Sequence, residues 1–260
     1  MKAVILAGGH GTRLAEETGT RPKPMVEIGG KPILWHIMKA YSLHGINEFI
    51  ICTGYLGQYI TEYFQQYFLN ESTVTFDLKN NSMQIHETNV EPWIVTIVYT
   101  GHNTLTGGRL LRVRPHLNEN ESFCMTYGDG LSDVNISELI SFHKRSGKLA
   151  TLTAVRSPGR FGVLALSDGE DNIISSFNEK IEGEVSLING GFFVLEPAAL
   201  DYVKDGDSST WEKEPLMNLA ADGQLTAFRH FGFWQPMDTL RDKHVLENFW
   251  KSGAAPWKKW

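Results

Sequence analysis

Three glycines, an arginine and a lysine near the start of the chain are spaced to hold a polyphosphate. Gly8, Gly9 and Gly11 surround His10 and follow a short apolar run at 3–7. Glycines at a strand's carboxyl end let backbone N–H groups approach a ligand with no Cβ in the way. Successive N–H groups in such a turn form an anion-binding concavity. Thr12 adds a hydroxyl and Arg13 a planar, permanently charged fork. Lys23, fixed between Pro22 and Pro24, adds a point charge on a loop with few conformations. Glycines alone fit a plain tight turn as well as a binding loop, and Arg13 with Lys23 tips the reading to binding. Two standard phosphate loops are excluded. No Gly-Lys-Ser/Thr follows these glycines, and GxGxxG begins at Gly9 and Gly11 but fails at Leu14.

Two carboxylates stand in comparable settings. Asp129 lies between Gly128 and Gly130, after an apolar run at 121–127. It reads either as a turn aspartate satisfying local N–H groups or as a magnesium ligand. Magnesium prefers hard oxygens and commonly takes one or two carboxylates together with substrate phosphates. Asp238 opens a helix predicted at 240–250 and reads equally as its N-cap. Asp133 reads as a cap for a helix predicted at 135–146.

The segments Leu6-Ala-Gly-Gly-His-Gly-Thr-Arg-Leu14 and Arg21-Pro-Lys-Pro-Met25 resemble the signature of sugar-1-phosphate nucleotidylyltransferases. These enzymes join a nucleoside triphosphate to a sugar phosphate and release pyrophosphate. The similarity runs from Met1 to about Trp257, and later segments point to the cytidylyl subgroup. The resemblance implies CTP and glucose 1-phosphate as substrates and Mg²⁺ as cofactor. It implies that Leu6, Ala7, Gly8, Gly9, Gly11, Thr12, Arg13 and Lys23 line the nucleotide. Arg13, Lys23 and Asp129 carry the catalytic roles, and Asp129 and Asp238 hold the metal together. Thr104, Gly108 and Arg109, in Thr100-Gly-His-Asn-Thr-Leu-Thr-Gly-Gly-Arg109, resemble the base-recognition loop. Gly162, Glu179, Lys180, Asn189, Gly190 and Trp234 fall at the sugar and its phosphate. Read without the resemblance, the 104–109 segment is a helix entry with surface arginines. Glu179-Lys180 is then a solvated pair, Gly190-Gly191 a strand bulge, and Trp234 a core residue. Ile181 stands where many members have proline, which leaves that loop less restrained. His10 replaces an apolar residue of the family and is given no catalytic role. Two readings stay open beside CTP: the same chemistry with UTP or dTTP, and a non-catalytic nucleotide-sugar binding relative.

The elements that must position these residues follow a regular order. Strands predicted at 3–7, 49–52, 93–99 and 121–127 alternate with helices at 32–44 and 59–68 and one after Arg109. That alternation predicts a doubly wound, mostly parallel α/β sheet with helices on both faces. In such sheets ligands collect at the carboxyl ends of the strands, which places the first glycine loop at the site on independent grounds. Further strands are predicted at 149–155, 173–177, 187–195 and 225–231. Residues 70–92 are polar and irregular and read as an insertion, either a small hairpin or a flexible arm. One domain is predicted over 1–260, with a nucleotide-binding half at about 1–130, a sugar-binding half at about 131–240 and a C-terminal helix and tail at 239–260.

Composition narrows the partners. The chain has 260 residues and a net charge of −6, which disfavours nucleic acid. A small polyanion needs only the local charge of Arg13 and Lys23. No apolar run is long enough to span a membrane or to form a signal segment, and a cytoplasmic location is the default expectation. Cys52 and Cys124 each sit in an apolar run and read as buried, inert thiols. The amphipathic tail at 255–260 suggests subunit contacts and a homo-oligomer.

Overall fold

The computed structural model describes residues 1–156, 163–166, 174–178 and 187–260. In chain order its elements begin with β1 (Lys2–Leu6), a single helical turn α1 (Ala15–Thr18), the short strands β2 (Glu27–Ile28) and β3 (Lys31–Pro32), and α2 (Ile33–Ser42). There follow β4 (Glu48–Thr53), α3 (Gln58–Asn70), β5 (Ser72–Asp77), β6 (Ser82–Thr88), β7 (Ile94–Tyr99), α4 (Thr106–Val113), β8 (Phe123–Tyr127), β9 (Gly130–Ser132) and α5 (Ile136–Ser146). The chain ends with β10 (Ala150–Arg156), β11 (Val163–Leu166), β12 (Ile174–Asn178), β13 (Leu187–Leu195), α6 (Glu214–Ala221), β14 (Leu225–His230), β15 (Trp234–Pro236) and α7 (Leu240–Lys251).

Seven strands form one sheet in the order β14-β10-β13-β8-β1-β4-β7. Strand β1 runs parallel to both β4 and β8, and β4 parallel to β7. Strand β13 alone reverses, pairing antiparallel with β8 on one side and β10 on the other. A strand with two buried faces must be apolar on both, and β1 is. Ala3 and Ile5 pack into one core layer with α2, α3, α5 and α7, while Val4 and Leu6 pack into the other with α4 and α6. The doubly wound, mostly parallel sheet with helices on both faces is therefore the observed architecture. Among the described residues, no helix is long and apolar enough to cross a membrane. Both thiols are buried, and desolvation raises each to about 12, so neither carries reactive thiolate.

Four local expectations are settled or revised. Residues 70–92 form an antiparallel hairpin, β5 with β6, which follows directly on α3. Helix α4 starts at Thr106, so Gly107, Gly108 and Arg109 lie inside its first turn instead of in the loop before it. Asp133 does not cap α5. Asn135 does, accepting from the Glu138 N–H, while Asp133 accepts from the Phe233 N–H at 2.7 Å. The tail packs on its own chain: Trp257 is 1% exposed and stacks on Phe233, and Trp260 lies edge-on to Trp35. Beside it, buried His36 donates from Nε2 to the Ile28 carbonyl at 2.8 Å, and desolvation lowers its pKa to about 4.

Candidate active site

Two clefts open at the carboxyl ends of the central strands and meet at one carboxylate. The larger, about 510 Å³, is lined by Leu6, Ala7, Gly8, Gly9, His10, Gly11 and Thr12 from the first loop, with Lys23, Thr104, Arg109, Tyr127 and Asp129. The smaller, about 370 Å³, is lined by Tyr127, Asp129, Asn189, Gly190, Glu212, Trp234 and Asp238. Asp129 and Tyr127 belong to both. This is where a doubly wound sheet gathers ligands.

The carboxylates expected to act together do come together, though they are far apart in the chain. Strand β9 pairs antiparallel with β15 so that Gly130 faces Pro236. The Met237 N–H then donates to the Asp129 carbonyl at 2.8 Å. That register brings the next residues, Asp129 and Asp238, to the same point. The N-cap reading of Asp238 is not what is found: Thr239 caps α7 and forms a reciprocal capping box with Asp242. The Asp238 side chain is left to face the cleft. There Lys23 Nζ donates to Asp129 Oδ2 at 2.6 Å and to Asp238 Oδ1 at 2.7 Å. Lys23 is fixed by its two prolines in a short turn, Lys23–Met25, and only a tenth of its side chain is exposed.

One cation held between two carboxylates shows what the pair is suited to hold. Among the described residues, no group of three His, Cys, Asp or Glu side chains is placed to bind a metal by itself. Two carboxylate donors plus oxygens from a phosphate substrate are the usual protein share of a magnesium site. The donor set fits that cation and would need the substrate to complete it.

The first loop and the second glycine-rich loop differ in what their glycines face. A Cβ built on Gly9 would meet nothing within 4 Å. A Cβ on Gly107 would lie 2.9 Å from the Ser209 carbonyl oxygen, and one on Gly108 only 2.6 Å from the Asp207 Cα. The N–H groups at the start of α4 are also spent on protein. Leu105 N–H donates to Asp207 O at 2.8 Å and Gly107 N–H to Ser209 O at 2.9 Å. Those donors are satisfied before any anion arrives.

Arg109 belongs to the same economy. Its guanidinium is buried, and desolvation lowers its pKa from the ordinary arginine value. Nη1 donates to Thr53 O at 3.0 Å, Thr100 Oγ1 at 2.7 Å and Gly101 O at 2.9 Å, and Nη2 donates to Gly8 O at 2.9 Å. One side chain thus ties three strand-end loops together. It also explains Gly8, whose Cβ would fall 2.1 Å from Arg109 Nη1. Thr104 is buried on the cleft wall. At the cleft mouth His10 stacks on Tyr55 with ring centroids 5.0 Å apart, and His102 meets His10 edge-on at 5.1 Å.

On the sugar side, Trp234 Nε1 donates to the Gly190 carbonyl at 2.7 Å and Asn189 Oδ1 accepts from the Gly191 N–H at 2.8 Å. Gly190 and Gly191 sit at a bulge. Leu152 faces Phe193, yet Ala154 faces Asn189, so β13 carries extra residues there. Gly191 has a φ of +80°, and its Cβ would press on the Tyr127 ring at 2.7 Å. Gly162, Glu179 and Lys180 lie outside the described residues, as does the side chain of Arg13.

Sequence reasoning missed Tyr127, Glu212 and Thr106. The Tyr127 hydroxyl donates to Glu212, and Thr106 Oγ1 donates to Glu212 Oε2 at 2.6 Å. Burial and the Glu212 charge push the Tyr127 phenol far above its ordinary pKa. Tyr127 did carry a signal, its place at a strand's carboxyl end beside Asp129. Glu212 carried none, because an acidic residue beside Lys213 and Glu214 before a helix reads as surface.

Sheet order and cleft position define a doubly wound α/β protein whose clefts lie at the carboxyl ends of its central strands. The sequence model described as Nucleotidyl transferase matches residues 2–235. The chain is 60% identical over 260 residues to glucose-1-phosphate cytidylyltransferase of Salmonella typhi, covering 100% of both. It is 33% identical to mannose-1-phosphate guanylyltransferase catalytic subunit beta of Dictyostelium discoideum, over 97% of this chain and 66% of that one. The fold resembles the crystal structure of HddC from Yersinia pseudotuberculosis, with a TM-score of 0.69 at 23% identity over 95% of this chain and 99% of that chain. The chain belongs to the nucleotidyl transferase family.

Proposed function

We propose that the chain transfers a cytidylyl group from CTP to α-D-glucose 1-phosphate, giving CDP-glucose and pyrophosphate. The observation that carries the reaction type is the meeting of the two clefts at Asp129, beside Lys23 and Asp238. The base and the sugar are supported by the full-length likeness to the Salmonella typhi cytidylyltransferase.

The chemistry asks little covalent help from the protein. A phosphate oxygen of glucose 1-phosphate attacks the α-phosphorus, the bond from that phosphorus to the oxygen bridging the β-phosphate breaks, and pyrophosphate leaves. The sugar phosphate is already ionised near neutral pH, so no general base is required. Catalysis is then positioning and electrostatics. The open first loop around Gly9 offers backbone N–H groups to the triphosphate. Arg13 would stabilise the charge that builds on the leaving pyrophosphate. Lys23 would pass from the carboxylates to the triphosphate oxygens as the substrate enters. Lys180 would hold the sugar phosphate and Glu179 the sugar. Trp234, fixed by its bond to Gly190, would face the sugar's apolar surface. Asp129 and Asp238 would hold Mg²⁺, which supplies charge neutralisation to the phosphate oxygens when bound. Arg109 acts by fixing the loop that carries Gly8, and Thr104 by shaping the wall of the base pocket.

The test is pyrophosphate release from CTP, UTP, dTTP, GTP and ATP in parallel, each with glucose 1-phosphate and Mg²⁺. Turnover confined to CTP, with CDP-glucose as the product by mass, is the expected result. Faster turnover with another triphosphate would overturn the base assignment and leave the reaction type standing. Binding without turnover of any triphosphate would overturn the enzyme reading.

A further inference from the structure

We infer that Glu212 is a sugar-recognition residue, accepting hydrogen bonds from hexose hydroxyls in the smaller cleft. The inference rests on the proposed reading of that cleft as the sugar pocket. Glu212 lies in the segment before α6 and lines the pocket. Its orientation is set from both sides. The Tyr127 hydroxyl donates to Oε1, and the Thr106 hydroxyl donates to Oε2 at 2.6 Å. Thr106 is itself fixed, because its Oγ1 accepts from the Trp211 N–H at 2.9 Å. Tyr127 is fixed by packing on Gly191.

A carboxylate offers about four acceptor positions, and these two bonds use one on each oxygen. The remaining capacity belongs to a group on the pocket wall. Other polar side chains on the pocket wall also have protein partners. Asn189 Oδ1 is taken by the Gly191 N–H, Trp234 Nε1 by the Gly190 carbonyl, and Asp129 and Asp238 share Lys23. A pre-oriented carboxylate, partly buried on the wall of a pocket of about 370 Å³, suits a ligand rich in hydroxyl donors. A hexose phosphate is such a ligand. A phosphate group is the wrong match for that wall, since it would meet like charge. Glu212 therefore reads the hydroxyl face of the sugar, at the opposite end from its phosphate.

The test uses the wild-type enzyme and Glu212→Gln with CTP and a set of deoxy analogues of glucose 1-phosphate, lacking the 2-, 3-, 4- or 6-hydroxyl. A hydrogen bond to a charged acceptor corresponds to about tenfold to a hundredfold in kcat/KM. In the wild type, at least one analogue should lose that factor. In Glu212→Gln, KM for glucose 1-phosphate should rise by about the same factor, KM for CTP should stay within about threefold, and the penalty for that analogue should disappear. If no analogue costs the wild type more than about twofold, the inference falls whatever the variant does. If Glu212→Gln lowers Tm and weakens CTP and every sugar phosphate alike, Glu212 is a brace between α4 and Tyr127, and the inference falls too. Absence of wild-type turnover with glucose 1-phosphate itself would overturn the proposed function, a result separable from either of these.

Discussion

The chain contains two glycine-rich turns that follow strands of the same sheet, one after β1 and one after β7, and Gly9 in the first faces different surroundings from Gly107 and Gly108 in the second. In the first, Gly9 faces open space and its neighbours line the larger cleft. In the second, Gly107 and Gly108 let the 206–209 segment press against the start of α4, and the N–H donors there are already paired. Gly9 leaves open space in the cleft, whereas Gly107 and Gly108 make room for protein, as Gly8 does for Arg109. Glycine in a loop records only that something comes close. What comes close is decided by the rest of the fold. Arg109 links the two turns: it starts in the second and spends its guanidinium on the first, through the Gly8 carbonyl.

The comparison can be broken by substitutions at either turn. The largest effect is expected at Arg109. Arg109→Ala removes the donor to several buried carbonyls, each worth about 1–3 kcal/mol when left unpaired. A loss on the order of 3–5 kcal/mol in urea unfolding should follow, together with a raised KM for CTP. A stable variant with only KM altered would show that Arg109 serves the ligand and not the loops. Gly108→Ala comes next. Its Cβ would overlap backbone of the 206–209 segment, which overpacks the contact and should cost about 1–3 kcal/mol despite alanine's better helix propensity. The loss is read as a lower urea midpoint. Gly9→Ala should be the smallest in stability, within about 0.5 kcal/mol, because its Cβ meets nothing. It should still raise KM for CTP by about tenfold, since the methyl group stands where the triphosphate approaches the backbone. A Gly9→Ala enzyme that loses stability and keeps its KM would reverse the contrast between the turns.

Much of this was legible in the sequence. Alternating apolar runs and helical stretches predict the sheet, since a strand buried on both faces has to be apolar throughout, as in residues 3–7. The first loop declared itself through the charge of Lys23 and its flanking prolines. The pairing of Asp129 with Asp238 was suggested by resemblance, and the β9–β15 register supplies its physical cause. In the second loop the start of α4 at Thr106 was not legible, because Thr-Gly-Gly-Arg reads the same whether its glycines face solvent, ligand or another segment, while Thr104 and Arg109 do line the larger cleft. The helix start at Thr106 depends on the Ser209 and Asp207 carbonyls, which lie about a hundred residues away and leave no local trace. Glu212 was missed for the same reason, because its environment is made by Tyr127 and Thr106 from distant elements. Local patterns carry the elements, and only tertiary contact tells which polar residue of a surface-like stretch faces a cleft.

The measurement that tests the account most directly is the steady-state rate of Asp238→Asn with saturating CTP, glucose 1-phosphate and Mg²⁺, beside its thermal unfolding. The substitution keeps the shape of the side chain and removes the charge that Asp238 shares with Asp129 at Lys23. The account predicts a fall in kcat of about 10²–10³, the loss that follows removal of one transition-state charge contact, with Tm nearly unchanged. A rate within about twofold of the wild type would place the chemistry somewhere other than the meeting point of the two clefts.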